Sequence, residues 1–288
     1  MRVTQETAIG GAAPSSSRPA AKRQAGGSFW SWLGGTTRGA SVTRLVISAI
    51  VFLAAWEVVS EYLVRNRLLL VPFQDVVSAM VKEAQSGSLW VNFGTTLLEL
   101  AIAFPISIAG GMLIGAILAG SKPVRQTLDP ILTALYSVPI VALAPLFIAG
   151  LGFGVASKVA VIILMAIFPI ITNTDAGLRS AEPSLVEMSE SFSARRVQVL
   201  RTVTFPHAVP FLVSGIRVAF SRALVGVIVA EIFGSVAGVG FAIAAASQSY
   251  QTGRLLGYVV ILGIIGLLAS IGLTALEKRI APWREEAV

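Results

Sequence analysis

The chain has 288 residues and no cysteine; 55% of its residues are hydrophobic and only 13% are charged, and its mean hydropathy is +0.80. Because soluble domains carry about a quarter charged residues, this composition predicts an all-α membrane protein and excludes an ordinary soluble domain. The lack of cysteine excludes disulfides, thiolate metal sites and cysteine nucleophiles, and the net charge of +7 leaves a basic excess whose distribution must be explained.

The N-terminal region contains a polar tail, one apolar span and one amphipathic helix. Residues 1–43 are rich in Ser, Gly, Ala, Arg and Pro, a composition typical of a disordered tail. Residues 44–64 are predicted to form the first membrane span, which needs roughly 20 apolar residues. In the polar segment 65–92, apolar residues recur at helical spacing between Pro72 and Gly87, which predicts a helix along the outer face of the bundle.

The second and third predicted spans differ in their small residues and prolines. Residues 95–120 contain Gly110, Gly111 and Gly115, which would let another helix approach closely within lipid. Residues 128–150 form the third span and contain three prolines, at positions 130, 139 and 145, so this helix should bend or partly unwind. Two interpretations of the bend stay open: a kinked helix that lines a transport path, with Pro139 at its centre, or a kink that is purely structural.

The rest of the chain alternates between apolar and polar segments. The predicted segments are a fourth span at 156–173, a polar loop at 174–207, a fifth span at 209–233, a sixth span at 255–276 and a short charged tail at 281–288. The sequence therefore predicts one membrane domain over 44–280 with six transmembrane helices, lying between two tails.

The distribution of Lys and Arg predicts the orientation of the chain. With the N-terminus inside, the inner segments hold fifteen of the 22 basic residues, the outer segments hold five, and two lie within the fifth span. This asymmetry agrees with the positive-inside rule, so both termini and the polar loop are expected in the cytoplasm. The basic excess then serves membrane insertion, and nucleic acid is not expected as a partner.

The polar loop contains a recognisable spacing of residues. From Glu187 it runs E-M-S-E-S-F-S, then nine residues, then V-T-F-P, ending at Pro206. This pattern resembles the cytoplasmic loop of ABC-importer permeases, which has E-A-A, three residues, Gly, nine residues and I-x-L-P. Ser193 stands at the glycine position, where the backbone is expected to be either right-handed or tolerably strained. The alternative interpretation is an ordinary solvated loop with charged residues.

Two short helices are expected inside the loop. The first should begin near Pro183, with Ser184 and Glu187 as a capping box, and end near Phe192. The second should cover 194–203 with Ser193 as its N-cap. Its cations are Arg195, Arg196 and Arg201, which would give the loop a basic face.

Three charged side chains fall within the fifth span: Arg217, Arg222 and Glu231. Charges in a span are costly and usually face the bundle interior. At 100° per residue, Arg217 and Glu231 lie about 40° apart, and Arg222 points nearly opposite Glu231. We hypothesise that at least one arginine faces the transport path and favours an anionic substrate. The structural alternative is that Arg217 reaches the cytoplasmic interface and Glu231 pairs with another helix or accepts backbone hydrogen bonds.

The resemblance extends over most of the membrane region, including residues 128–148, 150–180 and 214–234. These stretches are similar to permeases of the nitrate, taurine and aliphatic-sulfonate ABC importers. The resemblance implies a six-span type I importer fold, a homodimer, two cytoplasmic ATPase subunits that bind the ATP, an external substrate-binding protein and an inner-membrane location. It also implies that the ATPase receives the loop residues Glu187, Ser193, Ala194, Arg195, Arg196 and Pro206. No cofactor, metal or catalytic residue is expected.

Other functions remain open at this level. The same family also resembles carriers of thiamine-precursor pyrimidines and aromatic carboxylates. A self-sufficient secondary transporter would be expected to have an internal repeat, and none is clear in the sequence. An intramembrane enzyme lacks support, because G-x-x-x-x-G-K-[ST] and G-x-S-x-G are absent and the single histidine excludes H-E-x-x-H.

Overall fold

The computed structural model describes residues 38–64 and 66–280, with the side chains of all of these except 38–46 and Glu190. Within these ranges the regular structure is entirely helical, so the all-α prediction is confirmed. Contacts divide the chain into two units, Met1–Leu53 and Ala54–Val288. The described part of the first unit is helical, and the rest of the fold belongs to the second. Most of the tail predicted at 1–43, and all of the tail predicted at 281–288, lie outside the described residues.

Eleven α-helices follow one another in the described ranges, with one turn of π-helix after α1 and another before α9. The helices are α1 Arg38–Val58, α2 Phe73–Gln85, α3 Ser88–Gly120, α4 Lys122–Ser137, α5 Ile140–Leu151, α6 Val155–Arg179, α7 Pro183–Ser191, α8 Arg196–Val199, α9 Phe205–Gly234, α10 Val239–Gln248 and α11 Thr252–Ile280. The π-helical turns are Val59–Val64 and Leu200–Thr204.

Five helices of the described chain are long and apolar enough to cross a membrane, and the total is six when α4 and α5 count as one broken span. The axes of α4 and α5 meet at 88°, with Pro139 at the break. Proline lacks the N–H that would continue the helix, so the break falls where the sequence predicted a bend. The six-span prediction is confirmed on this count.

Helix α1 starts at Arg38, but its membrane-crossing stretch is Ile47–Val64, which lies within the predicted span 44–64. The second span begins earlier than predicted, because α3 starts at Ser88 instead of 95. Gly87 explains this difference, because its φ of +82° places it in the left-handed region that glycine favours. The chain turns there and starts α3 at once, so residues 88–94 extend the span instead of belonging to a polar loop.

Helix α6 lies between α3 and α9, and small residues bring the three helices close together. On α3, Gly111 faces Ile170 and Gly115 faces Thr174, both on α6. On α9, Gly215 touches Asn173 of α6 in the same way. A Cβ at any of these glycines would lie 2.6 to 2.7 Å from the facing side chain. The close approach expected of the glycines in the second span is therefore present.

The amphipathic helix α2 is fixed at its start and along its buried side. Glu57 accepts the first N–H of α2, from Phe73, at 3.1 Å, and the indole N–H of Trp56 donates to the carbonyl of Val71 at 3.0 Å. Met80 packs against Gly257 of α11. Because α2 packs on α11, its polar residues lie close to the start of the last span, where they take part in a network described below.

Candidate functional site

The loop that carries Glu187 begins later than predicted, because α6 continues to Arg179 instead of ending at Asn173. Arg179 binds Asp175 one turn earlier through two hydrogen bonds of 2.9 and 2.6 Å, a pairing that supports a helix. Gly177 packs directly against Phe211 of α9. The predicted loop boundary at 174 is therefore wrong, since polar residues that resemble a loop form the packed last turns of a helix.

The first short helix of the loop, α7, spans Pro183–Ser191 and starts at the predicted proline. The N–H groups of Leu185 and Val186 bond to the carbonyl of Glu182, so Glu182 is the cap residue. Ser184 is then inside the helix. The predicted capping box between Ser184 and Glu187 is wrong for that reason.

The link between α7 and α8 depends on Ser193, which has a φ of +57°. The predicted N-cap role of Ser193 is wrong, because a cap residue has extended backbone and Ser193 is left-handed. Arg195 takes the cap position with φ −67° and ψ 149°, and its N–H donates to the side chain of Gln198 at 2.7 Å. A glycine adopts the conformation of Ser193 without steric cost, which explains the glycine of the motif that this loop resembles.

We expect the substitution Ser193→Gly to raise the free energy of unfolding by about 1 kcal/mol, because it removes the steric cost of a left-handed serine. Ser191→Gly is the matched control; Ser191 ends the regular helix α7, so the same change should lower stability by about 0.5–1 kcal/mol. Unfolding of the solubilised protein by SDS, followed by circular dichroism, measures both. Equal effects of the two changes would contradict the strain at Ser193.

The second short helix of the loop is not a separate element. The chain is helical from Arg196 to Gly234, a stretch of 39 residues that includes α8, a π-helical turn and α9. The helix therefore starts well before the predicted span at 209–233, and because roughly 20 residues cross a membrane, the start of the span within this helix stays a prediction. Pro206 directly follows the π-helical turn, and the helix continues through it, so the motif proline does not stop the helix.

The exposed surface of the loop is both apolar and basic. Phe192 is 81% exposed, and Met188 and Val197 are also exposed, close to the cations Arg195 and Arg196. We refer to the segment 183–199 as the knob. The residues predicted to contact the ATPase include Glu187 and the two cations but not Phe192 or Met188, although a phenylalanine inside a polar loop is itself an unusual feature. Exposed apolar groups beside cations are typical of a surface that another protein covers.

Two of the residues predicted to line the path make contacts inside the chain. Arg217 binds Glu277 of α11 at 2.7 Å. Glu231 is fully buried; it accepts hydrogen bonds from the hydroxyl of Thr96 and the N–H of Gly240, both at 2.6 Å. These are the kinds of contact that the structural alternative predicted, and a role of either residue in the path stays a prediction.

Arg222 differs from these two. It lies near the middle of α9, is exposed, and makes no ion pair or hydrogen bond with any side chain that the structure describes. An unpaired charge at this depth is costly against lipid and indicates contact with water or protein.

Pro139 lies at the break between α4 and α5. Helix α4 has no buried residue, and Pro139 itself is exposed. We call this surface, comprising α4 and the break at Pro139, the open face. Irregular backbone at membrane depth is tolerated only where protein or a water-filled cavity covers it. Of the four residues predicted for the path, Arg222 and Pro139 are the exposed ones, and a role of either in the path stays a prediction.

A buried ion pair that the sequence analysis missed lies at the end of the bundle opposite the knob. Lys158 of α6 pairs with Glu99 of α3, and both side chains are almost completely buried, with 7% and 0% exposure. Lys158 also donates to the hydroxyl of Ser235 at 3.0 Å. Nothing in the local sequence around Lys158 or Glu99 indicates a pairing between residues so far apart in the chain.

The turn between α9 and α10 is fixed by a second set of polar contacts. Asn92 and Thr96 of α3 accept the N–H groups of Gly238 and Val239 at 3.0 and 2.9 Å. Asn92 also donates to Tyr258 at 3.1 Å, and the Tyr258 hydroxyl donates to Glu83 of α2 at 2.7 Å. These contacts hold four helices around one turn, so the end of the bundle opposite the knob is the more rigidly connected one.

Comparison with known proteins agrees with this architecture. Residues 111–285 match the family described as binding-protein-dependent transport system inner membrane component. A Bacillus subtilis (strain 168) protein named as an aliphatic sulfonates transport permease is 30% identical over 95% of this chain and 96% of its own length. The taurine transport system permease of Escherichia coli (strain K12) is 28% identical over 85% of this chain and 91% of its own.

Two further comparisons extend the range of relatives. The nitrate import permease of Synechocystis is 27% identical over 67% of this chain and 70% of its own length. Among solved structures, the MetNI methionine ABC transporter matches with a TM-score of 0.57 and 18% identity, over 65% of this chain and 93% of the matched one, which establishes the fold alone. With the broken span, the knob and the family match over most of the membrane region, the chain is a member of the binding-protein-dependent transport system inner membrane component family, the permeases of ABC importers.

Proposed function

We propose that this chain is the non-catalytic, membrane-spanning subunit of an ATP-driven importer and that it couples to its ATPase through the knob. The observation that carries this proposal is the exposure of Phe192, Met188 and Val197 beside the cations Arg195 and Arg196. A soluble partner that covers these apolar groups would remove them from water, and the cations would select an acidic rim around the receiving cleft.

The proposed assembly contains two copies of this chain, two cytoplasmic ATPase subunits that bind the ATP, and one external substrate-binding protein. Both termini and the knob face the cytoplasm in this arrangement, in keeping with the distribution of Lys and Arg. The open face supports a second copy as a partner, because an exposed helix break needs a protein or water neighbour within the bilayer.

The knob can be tested by co-purification with the ATPase subunits of the same genome. We expect an ATPase to accompany the wild-type chain and to be lost with the double substitution Glu187→Lys, Arg196→Glu, which reverses two charges of the knob. Arg125→Glu is the control, since it reverses a charge in the short segment at the start of α4, outside the knob. If no ATPase accompanies the wild type under any condition, the importer role fails, and a self-sufficient transporter would have to be considered.

We propose further that the substrate is a small anion such as a sulfonate, taurine or nitrate, the substrates named for three of the relatives. Arg222 supports an anion, because it is a cation within the fifth span that forms no ion pair with any side chain that the structure describes. Relatives named for formylaminopyrimidine and riboflavin show that the family is not confined to anions, so a pyrimidine or an aromatic carboxylate is the alternative.

We expect Arg222→Gln to lower ATP-dependent uptake of a sulfonate by about tenfold or more, since hydrogen bonds to charged groups contribute about 1.5–3 kcal/mol. Arg222→Lys keeps the positive charge and should retain most of the uptake. The measurement is uptake of radiolabelled taurine into vesicles that contain the complete importer. Unchanged uptake by Arg222→Gln, with an unchanged order of competing substrates, would exclude Arg222 from the path.

A further inference from the structure

A cavity of about 250 Å³ lies between α3, α4 and α6, at the end of the open face next to the knob. Its apolar wall includes Tyr136 and Phe168, whose ring centroids are 5.7 Å apart. Its charged residues are Asp129, Asp175 and Arg179. Pockets for drug-sized ligands measure roughly 300–1,000 Å³, so a ligand that fits this cavity is smaller than those.

The charges that line the cavity are not balanced. Two N–H groups of Arg179, on Nε and Nη2, are used by Asp175, and a guanidinium has five, so the remaining donors are available to a ligand. Asp129 interacts electrostatically with Arg179 across the cavity, but no side chain in the described ranges forms an ion pair or hydrogen bond with its carboxylate. The cavity lining therefore presents two groups to a ligand. One is the carboxylate of Asp129, which has no ion-pair partner among the described residues, and the other is the set of Arg179 N–H groups that Asp175 does not use.

We infer that this cavity is a substrate subsite for a compact zwitterion, which places an ammonium group beside Asp129 and its anionic group on the free edge of Arg179. The inference rests on the proposed function and narrows it, from a small anion to an anion that also carries a primary amine. A simple anion would meet a lining whose net charge is −1, whereas a zwitterion matches both charged groups. The rings of Tyr136 and Phe168 add cation–π attraction for the ammonium.

A pair of sulfonates of almost equal size tests the subsite directly. Taurine has an ammonium group where isethionate has a hydroxyl. We expect the full-length chain in lipid nanodiscs, studied by calorimetric titration, to bind taurine about tenfold more tightly than isethionate, because a charged hydrogen bond to Asp129 contributes that much. Asp129→Asn should remove this difference. Asp75→Asn, which neutralises an exposed carboxylate on α2, should preserve it.

Three results would overturn the inference: equal affinities in the wild type, no binding of either sulfonate, or a preference for taurine that survives Asp129→Asn. The co-purification experiment tests the importer role independently of these affinities, so failure of the subsite can be distinguished from failure of the proposed function. If an ATPase accompanies the chain but taurine has no advantage over isethionate, the importer role stands and the zwitterion subsite fails. If taurine binds through Asp129 but no ATPase associates, the subsite stands and the importer role fails.

Discussion

Replacing Lys158 with Met is expected to lower the free energy of unfolding by about 3–5 kcal/mol, the range seen when one partner of a buried ion pair is removed. Glu99 is fully buried, and its second oxygen, Oε2, has no hydrogen-bond donor among the described residues. The substitution would leave a carboxylate without a counter-charge at a site that water does not reach. SDS unfolding followed by circular dichroism gives the change in free energy.

Two further variants separate the ion pair from a general effect of losing a lysine. The double substitution Glu99→Leu, Lys158→Met should restore most of the lost stability, since apolar replacement of a whole buried pair is often neutral or stabilising. Arg67→Met removes one partner of an ion pair whose side chains are 79% and 48% exposed, and it should cost less than about 1 kcal/mol. If the double variant is no more stable than Lys158→Met alone, the cost does not arise from the unpaired carboxylate.

The second large effect is expected from Gly115→Ala, which should destabilise the chain by about 1–3 kcal/mol through overpacking. The added Cβ would lie 2.6 Å from the Cβ of Thr174 and 2.7 Å from the backbone oxygen of Ile171. A backbone atom cannot rotate away as a side chain can. Helix α6 cannot retreat either, because Asn173 is already in close contact with Gly215 of α9.

Gly110→Ala is the matched control, one and a half turns earlier on the same helix. Its Cβ would lie 3.5 Å from the terminal carbon of Ile167, an ordinary contact with the flexible end of a side chain. Alanine is also the better helix former, so Gly110→Ala should be neutral or slightly stabilising. Thermal unfolding in detergent, measured by tryptophan fluorescence, compares the two. Similar losses at positions 110 and 115 would argue against close packing between α3 and α6.

Features with a local pattern could be predicted from the sequence. The six spans follow from runs of apolar residues, and the bend in the third span follows from its prolines, although Pro130 and Pro145 lie inside helices and the break falls at Pro139. Each of these predictions needed only residues within one helix.

Features that depend on distant residues could not be predicted. Glu99 and Lys158 are separated by a broken span, and Asn92 meets Tyr258 only after the chain has folded. The late end of α6 was missed for a similar reason, since the polar residues 174–179 look like a loop until α9 packs against Gly177. The left-handed backbone of Ser193 was allowed by the spacing of the motif, but a serine alone does not specify it.

The uninterrupted helix from Arg196 to Gly234 has a mechanical consequence. At 1.5 Å per residue, its 39 residues form a lever about 58 Å long, with the knob at one end and the turn held by Asn92 and Thr96 at the other. Arg222 lies along its shaft. If the ATPase acts on the knob as proposed, a push there would swing Arg222 about the anchored end, and the π-helical turn at Leu200–Thr204 is where the helix would flex. Transport in this protein would then depend as much on the stiffness of one helix as on the affinity of any binding group.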